Sequence, residues 1–200
     1  RFDLTSENLD KVVRDRVLSK KGEFRGTLGE LYHEHEGILS ASYKLDSSQS
    51  LKPITKQNFI ECYPFLSYQL DILPEMFKAL GKGTDDKLAG SERTLIDVTQ
   101  SVLKDEDHLY NDKLGALVTL DMIFDEISND IPSSDVKSIR EAQPKDADTQ
   151  TARRVLKSLY PLQQLSWIPN TADNIATSLQ TNLGPTQQLE AEVQETLDAL

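Results

Sequence analysis

The chain of 200 residues carries 22 Lys and Arg against 33 Asp and Glu, a net charge of −11, and 38% of it is hydrophobic. That composition supports a folded core and excludes a disordered chain. No run approaches the roughly 18 apolar residues of a membrane span, and no basic-then-apolar leader opens the sequence, so a cytoplasmic protein is expected. The lone Cys62 excludes an internal disulfide and reads as a buried, inert thiol. Arg1 at the start and Leu200 inside an apolar pattern read as the ends of a piece cut from something longer.

Taken in chain order, Leu9, Val12, Val13 and Val17 recur at helical spacing, with Thr5 or Ser6 as a cap and Gly22 as a stop. Leu28, Leu31 and Tyr32 suit a short second helix inside a polar and aromatic stretch, and residues 45–58 read as a surface loop. Pro64 interrupts the apolar run Phe59 to Leu66, which predicts a turn or the start of a helix. Pro74 suits the first turn of a helix carrying Met76, Phe77 and Leu80, stopped by Gly81 and Gly83. Ser91 caps a helix with Leu95, Ile96, Thr99, Val102 and Leu103 on one face.

Residues 114–127 form a nearly continuous apolar stretch too long for an ordinary strand, so a buried helix is favoured. A break at Pro132 precedes a short helix near Val136 to Ala142, and the polar spacer 144–148 reads as a boundary. Beyond it, the periodicity predicts a helix over Ala152 to Leu165, a second capped by Thr171, and a third opened by Gly184 and Pro185. The expected fold is therefore mainly α: a helical lid-like region over 1–143, then a winged-helix-like unit of three helices over 144–200, truncated at its C-terminus.

Several polar clusters invite a chemical reading. His33 and His35 would point together on a strand but diverge on a helix, and no near third ligand accompanies them, so a solvated turn is the plainer reading. Met122-Ile123-Phe124-Asp125-Glu126 resembles the apolar strand with an acidic end found in nucleotide hydrolases. The phosphate loop that this chemistry also needs is missing, since Gly81-Lys82-Gly83-Thr84 lacks the required spacing. Arg93 sits in the first turn of its helix, where a cation does not help the helix dipole but would suit an anionic ligand; pairing with Asp97 is the bland alternative. The last helix carries Glu190, Glu192, Glu195 and Asp198 with no Lys or Arg, so groove reading of DNA is disfavoured, although Arg153, Arg154 and Lys157 could touch a backbone. The basic run Lys11, Arg14, Arg16, Lys20 and Lys21 is another candidate anion contact, diluted by Asp10 and Asp15.

The stretch Phe59 to Gln69, then Leu73-Pro74, Gly90 to Val98 and Leu117 to Asp125, resembles the region downstream of the nucleotide-binding core in the large P-loop ATPases of bacterial BREX phage-defence systems, the BrxC/PglY group. Ala152 to Leu159, with Ile168 to Thr171 and Asn174 to Ala176, is similar to the helical part that follows there. The resemblance implies a fragment of a longer ATPase that uses ATP and Mg, with Arg93 reaching the nucleotide phosphates from a helical lid and no turnover by the fragment alone. It also implies other defence-system subunits as partners, alongside self-association. A free-standing acidic helical adaptor is the alternative, and a winged-helix DNA binder ranks behind it.

Overall fold

The computed structural model describes residues 11–81, 91–104 and 113–200, except for the side chains of residues 91–93. The protein is mainly α-helical, as its periodicity predicts, and contains no strand among the described residues. Helices α1 (Gly22–Ser42), α2 (Lys56–Cys62), α3 (Ser67–Gly81) and α4 (Ser91–Lys104) come first. Then follow α5 (Leu120–Ile127), α6 (Ser133–Arg140), α7 (Thr149–Leu162), α8 (Ala172–Leu179) and α9 (Gln187–Ala199). No described helix is long and apolar enough to cross a membrane.

Helix α3 is the centre of the fold. It buries Leu70, Ile72, Leu73, Met76, Phe77 and Leu80, together with the polar Ser67 and Gln69. A helix apolar on most of its circumference must be covered on most sides, and α3 packs against α2, α4 and α7. Gln69 is the polar device that makes this burial tolerable: its amide Nε2 donates to the Val118 carbonyl at 2.8 Å and its Oε1 accepts from the Leu66 N–H at 2.8 Å.

Five expectations change. The loop read over 45–58 ends at Thr55, the N-cap of α2, and its Leu45 is buried in the core. Gly22 opens a helix instead of closing one. The residues before it form a π-helical turn, Val13–Val17, and Leu9, Thr5 and Ser6 lie outside the described residues. The polar stretch after it is not a short helix but the 21-residue α1, which runs through Gly26, Gly29 and Gly37 because Leu28, Tyr32 and Leu39 fall on one buried stripe. Pro74 lies inside α3 instead of in its first turn; the buried positions Tyr68, Leu70, Ile72 and Leu73 draw the helix back to Ser67. The apolar stretch 114–127 divides: only Leu120–Ile127 is helical. Gly115 takes φ 105°, Ala116 makes an isolated bridge with Asn182, and the Leu117 and Val118 N–H groups donate to Thr181 and Pro64 carbonyls. These long-range partners satisfy backbone groups that a longer α5 would have paired internally.

Other expectations stand. Cys62 is buried, Thr171 caps α8 through its Oγ1 and the Asn174 N–H, and the helix near Val136 and the one carrying Leu95 and Val102 are present, the Ser91 side chain lying outside the described residues. Asp148, in the spacer and not expected as a cap, caps α7 by accepting from the Thr151 N–H at 2.7 Å. The described part of α3 runs through Gly81, and Gly83 lies outside the described residues.

Residues on both sides of position 143 share one core. Tyr43 at the end of α1 donates to the Asn182 carbonyl at 2.8 Å and accepts from the Gly184 N–H at 2.9 Å. Asn174 of α8 accepts from the Asp46 N–H at 2.7 Å and donates to the Asp46 and Pro169 carbonyls.

Candidate functional site

Three features of the described residues combine polar chemistry with defined geometry: an acid–base ladder between α5 and α7, a groove at the end of α1, and a cationic cluster at its start.

The ladder arises from helical spacing. Asp121 and Asp125 stand one turn apart on α5, and Arg154 and Lys157 stand about one turn apart on α7, so two like-spaced pairs meet where the helices pack. Asp121 Oδ2 accepts from Arg154 Nε at 2.7 Å and Asp125 Oδ2 accepts from Lys157 Nζ at 2.6 Å. The same guanidinium also donates from Nη2 to the Leu179 carbonyl at 3.0 Å, which draws in the last turn of α8. Nearby, the buried Ser158 and Ser178 hydroxyls lie 2.5 Å apart, and Ser178 donates to the Ile175 carbonyl. The carboxylate of Asp125, at the acidic end of the hydrolase-like string, thus accepts from a lysine. The string itself is helical, not the strand that such a motif requires.

A groove of about 730 Å³ opens between the last turn of α1, the loop over residues 43–54, Tyr68 of α3 and Asp173 of α8. Its size suits a small molecule or a few residues of extended chain. Leu39, Leu45, Leu51 and Ile54 give it apolar walls, and Lys44, Asp46, Lys52 and Asp173 a polar rim. The lining holds no histidine or cysteine. The Ser40 and Ser47 hydroxyls donate to main-chain carbonyls, and Lys52 pairs with Asp71 at 2.9 Å. These are the fittings of a binding groove; a hydroxyl activated by an adjacent base is not among its described contacts.

No protein-family model matches the chain, and no solved structure matches it.

The third feature lies where α2 crosses the start of α1. Arg14 Nη1 donates to Glu61 Oε2 at 2.7 Å, Gln57 Nε2 to Glu61 Oε1 at 2.9 Å, and Lys20 Nζ to the Glu61 carbonyl at 2.9 Å. The Gln57 hydrogen bond, then Arg14, hold the Glu61 carboxyl below its ordinary range. Burial lowers the Lys20 ammonium to about 8, with the charge of Arg25 acting in the same direction. Further along α1, Gly29 leaves room for the Lys56 stem, since a Cβ there would meet Lys56 Cε at 3.1 Å. Lys56 Nζ rests 2.9 Å from His33 Nε2.

The residues singled out from sequence are not brought to one place. Arg93 stands in the first turn of α4, but its side chain lies outside the described residues. His33 and His35 are not on a turn; they lie within α1, where they diverge, His33 toward Lys56 and His35 with its Nδ1 3.0 Å from the Leu31 carbonyl. No group of three or more potential metal ligands occurs among the described residues. Arg154 and Lys157, candidates for touching a DNA backbone, are engaged by α5. Sequence reasoning missed Asp121 and Asn174 as structural polar anchors. The matched spacing of acids on α5 and bases on α7 is a legible signal for the first, whereas nothing local marks the second.

Proposed function

We propose that this chain is the non-catalytic coupling segment of a large P-loop ATPase of the BREX phage-defence kind. In this reading it joins a helical lid, over residues 1–143, to a winged-helix-like unit, over 144–200, and passes nucleotide-driven movement to partner subunits in the cytoplasm. The observation that supports it most is the ladder Asp121–Arg154 and Asp125–Lys157, which ties α5 to α7 across the spacer at 144–148. A segment that relays movement must itself resist deformation, and two charged hydrogen bonds across a packed helix pair favour rigidity. Asp121 and Asp125 are held by cations and the sequence contains no phosphate loop, so binding of ATP and Mg belongs, on this proposal, to the remainder of the ATPase. Arg93 would approach its phosphates from α4.

The test is Arg93→Ala in the full-length ATPase. Hydrolysis is expected to fall at least ten-fold while the 200-residue segment carrying the same change keeps its helicity and melting temperature. Unchanged turnover would reject the role.

A second reading, a free-standing adaptor for basic partners, is favoured by one observation. Glu192, Glu195 and Asp198 are exposed on α9, and no Lys or Arg occurs after Lys157. It requires capture of a partner that is weakened by salt and indifferent to ATP; capture that needs ATP would count against it.

A further inference from the structure

Positive charge is concentrated in one short segment of this acidic chain. Residues 11–25 hold six of its 22 Lys and Arg and only two of its 33 Asp and Glu. Their structural use differs from that of the other basic cluster. Arg154 and Lys157 are neutralised by Asp121 and Asp125. Beside the start of α1, Arg14 pairs with Glu61 at 2.7 Å, and the Glu61 charge also acts on Lys20 and Arg25 without touching them. Lys20 donates to a main-chain carbonyl and so keeps its charge without a carboxylate contact. Arg16, Lys21 and Arg25 are exposed and have no ion-pair partner among the described residues.

An exposed aromatic ring lies in the same segment. Phe24 is 53% exposed, one of only three large hydrophobic side chains that open to water among the described residues. Its N–H donates to the Lys21 carbonyl at 3.0 Å, which fixes it in the same turn as Lys21 and Arg25. Gly22 and Gly26 flank that turn, and residues 22–26 are all exposed, so no side chain of the fold covers it.

Unneutralised cations beside an exposed ring are what a single-stranded nucleic acid requires: charge for phosphates and a flat face for an unstacked base. An acidic protein surface would use the charges but has no need of the ring. We propose that the exposed Arg16, Lys21 and Arg25, with Phe24 in the same segment, form a contact surface for single-stranded nucleic acid, read without sequence preference. The surface does not depend on the ATPase reading, because it uses none of the residues invoked there.

The test is fluorescence anisotropy of the 200-residue chain with fluorescein-labelled dT20, U20 and a 20-base-pair duplex, from 50 to 200 mM NaCl. Binding to both single strands is expected, with a log–log salt slope of about −2 for three phosphate contacts. The combined variant Arg16→Gln, Lys21→Gln, Arg25→Gln changes only exposed side chains. It should weaken binding at least ten-fold and flatten the slope by about 2. Phe24→Ala should weaken dT20 binding at least five-fold and leave duplex binding unchanged. Lys137→Gln with Arg140→Gln, exposed on α6, should change nothing. Absence of binding at 50 mM NaCl, or equal binding by the triple variant, overturns the proposal. Duplex binding as tight as dT20 and insensitive to Phe24 overturns the single-strand assignment. Displacement of dT20 by polyglutamate at matched charge would replace it with an acidic protein partner. The outcome for Arg93→Ala in the ATPase leaves these results unaffected.

Discussion

The guanidinium of Arg154 touches the carboxylate of Asp121 at 2.7 Å and the carbonyl of Leu179 at 3.0 Å, so one side chain on α7 holds both α5 and α8. Asp121 is only 11% exposed and Arg154 31%, which places the pair between a surface bridge and a buried one. Arg154→Leu should therefore lower unfolding free energy by about 2 kcal/mol, with Asp121 left in a poorly hydrated site. A double-mutant cycle with Asp121→Asn, read by urea denaturation, should give a coupling of about 1 kcal/mol. The same cycle on the exposed pair Lys137–Glu141 should give less than about 0.5 kcal/mol.

Asn174 is fully buried and makes three hydrogen bonds with the Asp46 and Pro169 backbones. Asn174→Leu leaves the Asp46 amide and both carbonyls without their partner, at a cost of about 3 kcal/mol. Amide exchange should accelerate first in residues 43–54, the wall of the groove. Uniform acceleration across the chain would mean that Asn174 supports the whole fold instead of that loop.

Two glycines should respond in opposite directions. Gly26 lies within α1 with open space where a methyl would stand, so Gly26→Ala should stabilise by about 0.5–1 kcal/mol through helix propensity. Gly115 adopts φ 105°, where an L side chain is strained although space is free, so Gly115→Ala should destabilise by about 1 kcal/mol or more. Thermal melts of the two variants check both signs.

Lys20 gives a dependence on pH. Its folded value, near 8, lies below the ordinary 10.5 because burial disfavours the ammonium. Below pH 8 both folded and unfolded states hold the proton, and the cost of burying the charge is fully present. Between pH 8 and 10.5 the folded state releases the proton first, the unfolded state binds more protons, and stability rises with pH. Tyr68 and Tyr160 act oppositely but only above pH 10, since burial raises both, Tyr160 to about 12 with Asp135 adding to the effect. Relative to Lys20→Met, the urea midpoint of the wild type should therefore increase from pH 7.5 to 9.5. A constant difference would show that Lys20 is not desolvated.

Helix type is legible wherever apolar spacing is regular and a cap is local. Thr171 with Ile175 and Leu179, or Asp148 with Ala152 and Val155, carry their own instructions. The stretch at 114–127 misleads because its division depends on distant groups: the Thr181 and Pro64 carbonyls accept from the Leu117 and Val118 N–H groups, the Leu183 N–H donates to the Gly115 carbonyl, and no local pattern announces them. Gly22 misleads for a related reason, since a glycine between polar residues marks either end of a helix equally well until the buried stripe of Leu28, Tyr32 and Leu39 decides. The groove is invisible in sequence because its walls come from residues more than a hundred positions apart, such as Asp46 and Asp173.

The Tyr43 hydroxyl and its partners are separated by 139 to 141 positions. During synthesis, a nascent chain growing at about 5–20 residues per second leaves that hydroxyl waiting roughly 7–28 seconds for Asn182 and Gly184 to be translated. Throughout that interval the C-terminal end of α1 is exposed at the ribosome, its closing contacts still unmade, which is the window in which a chaperone would find this protein.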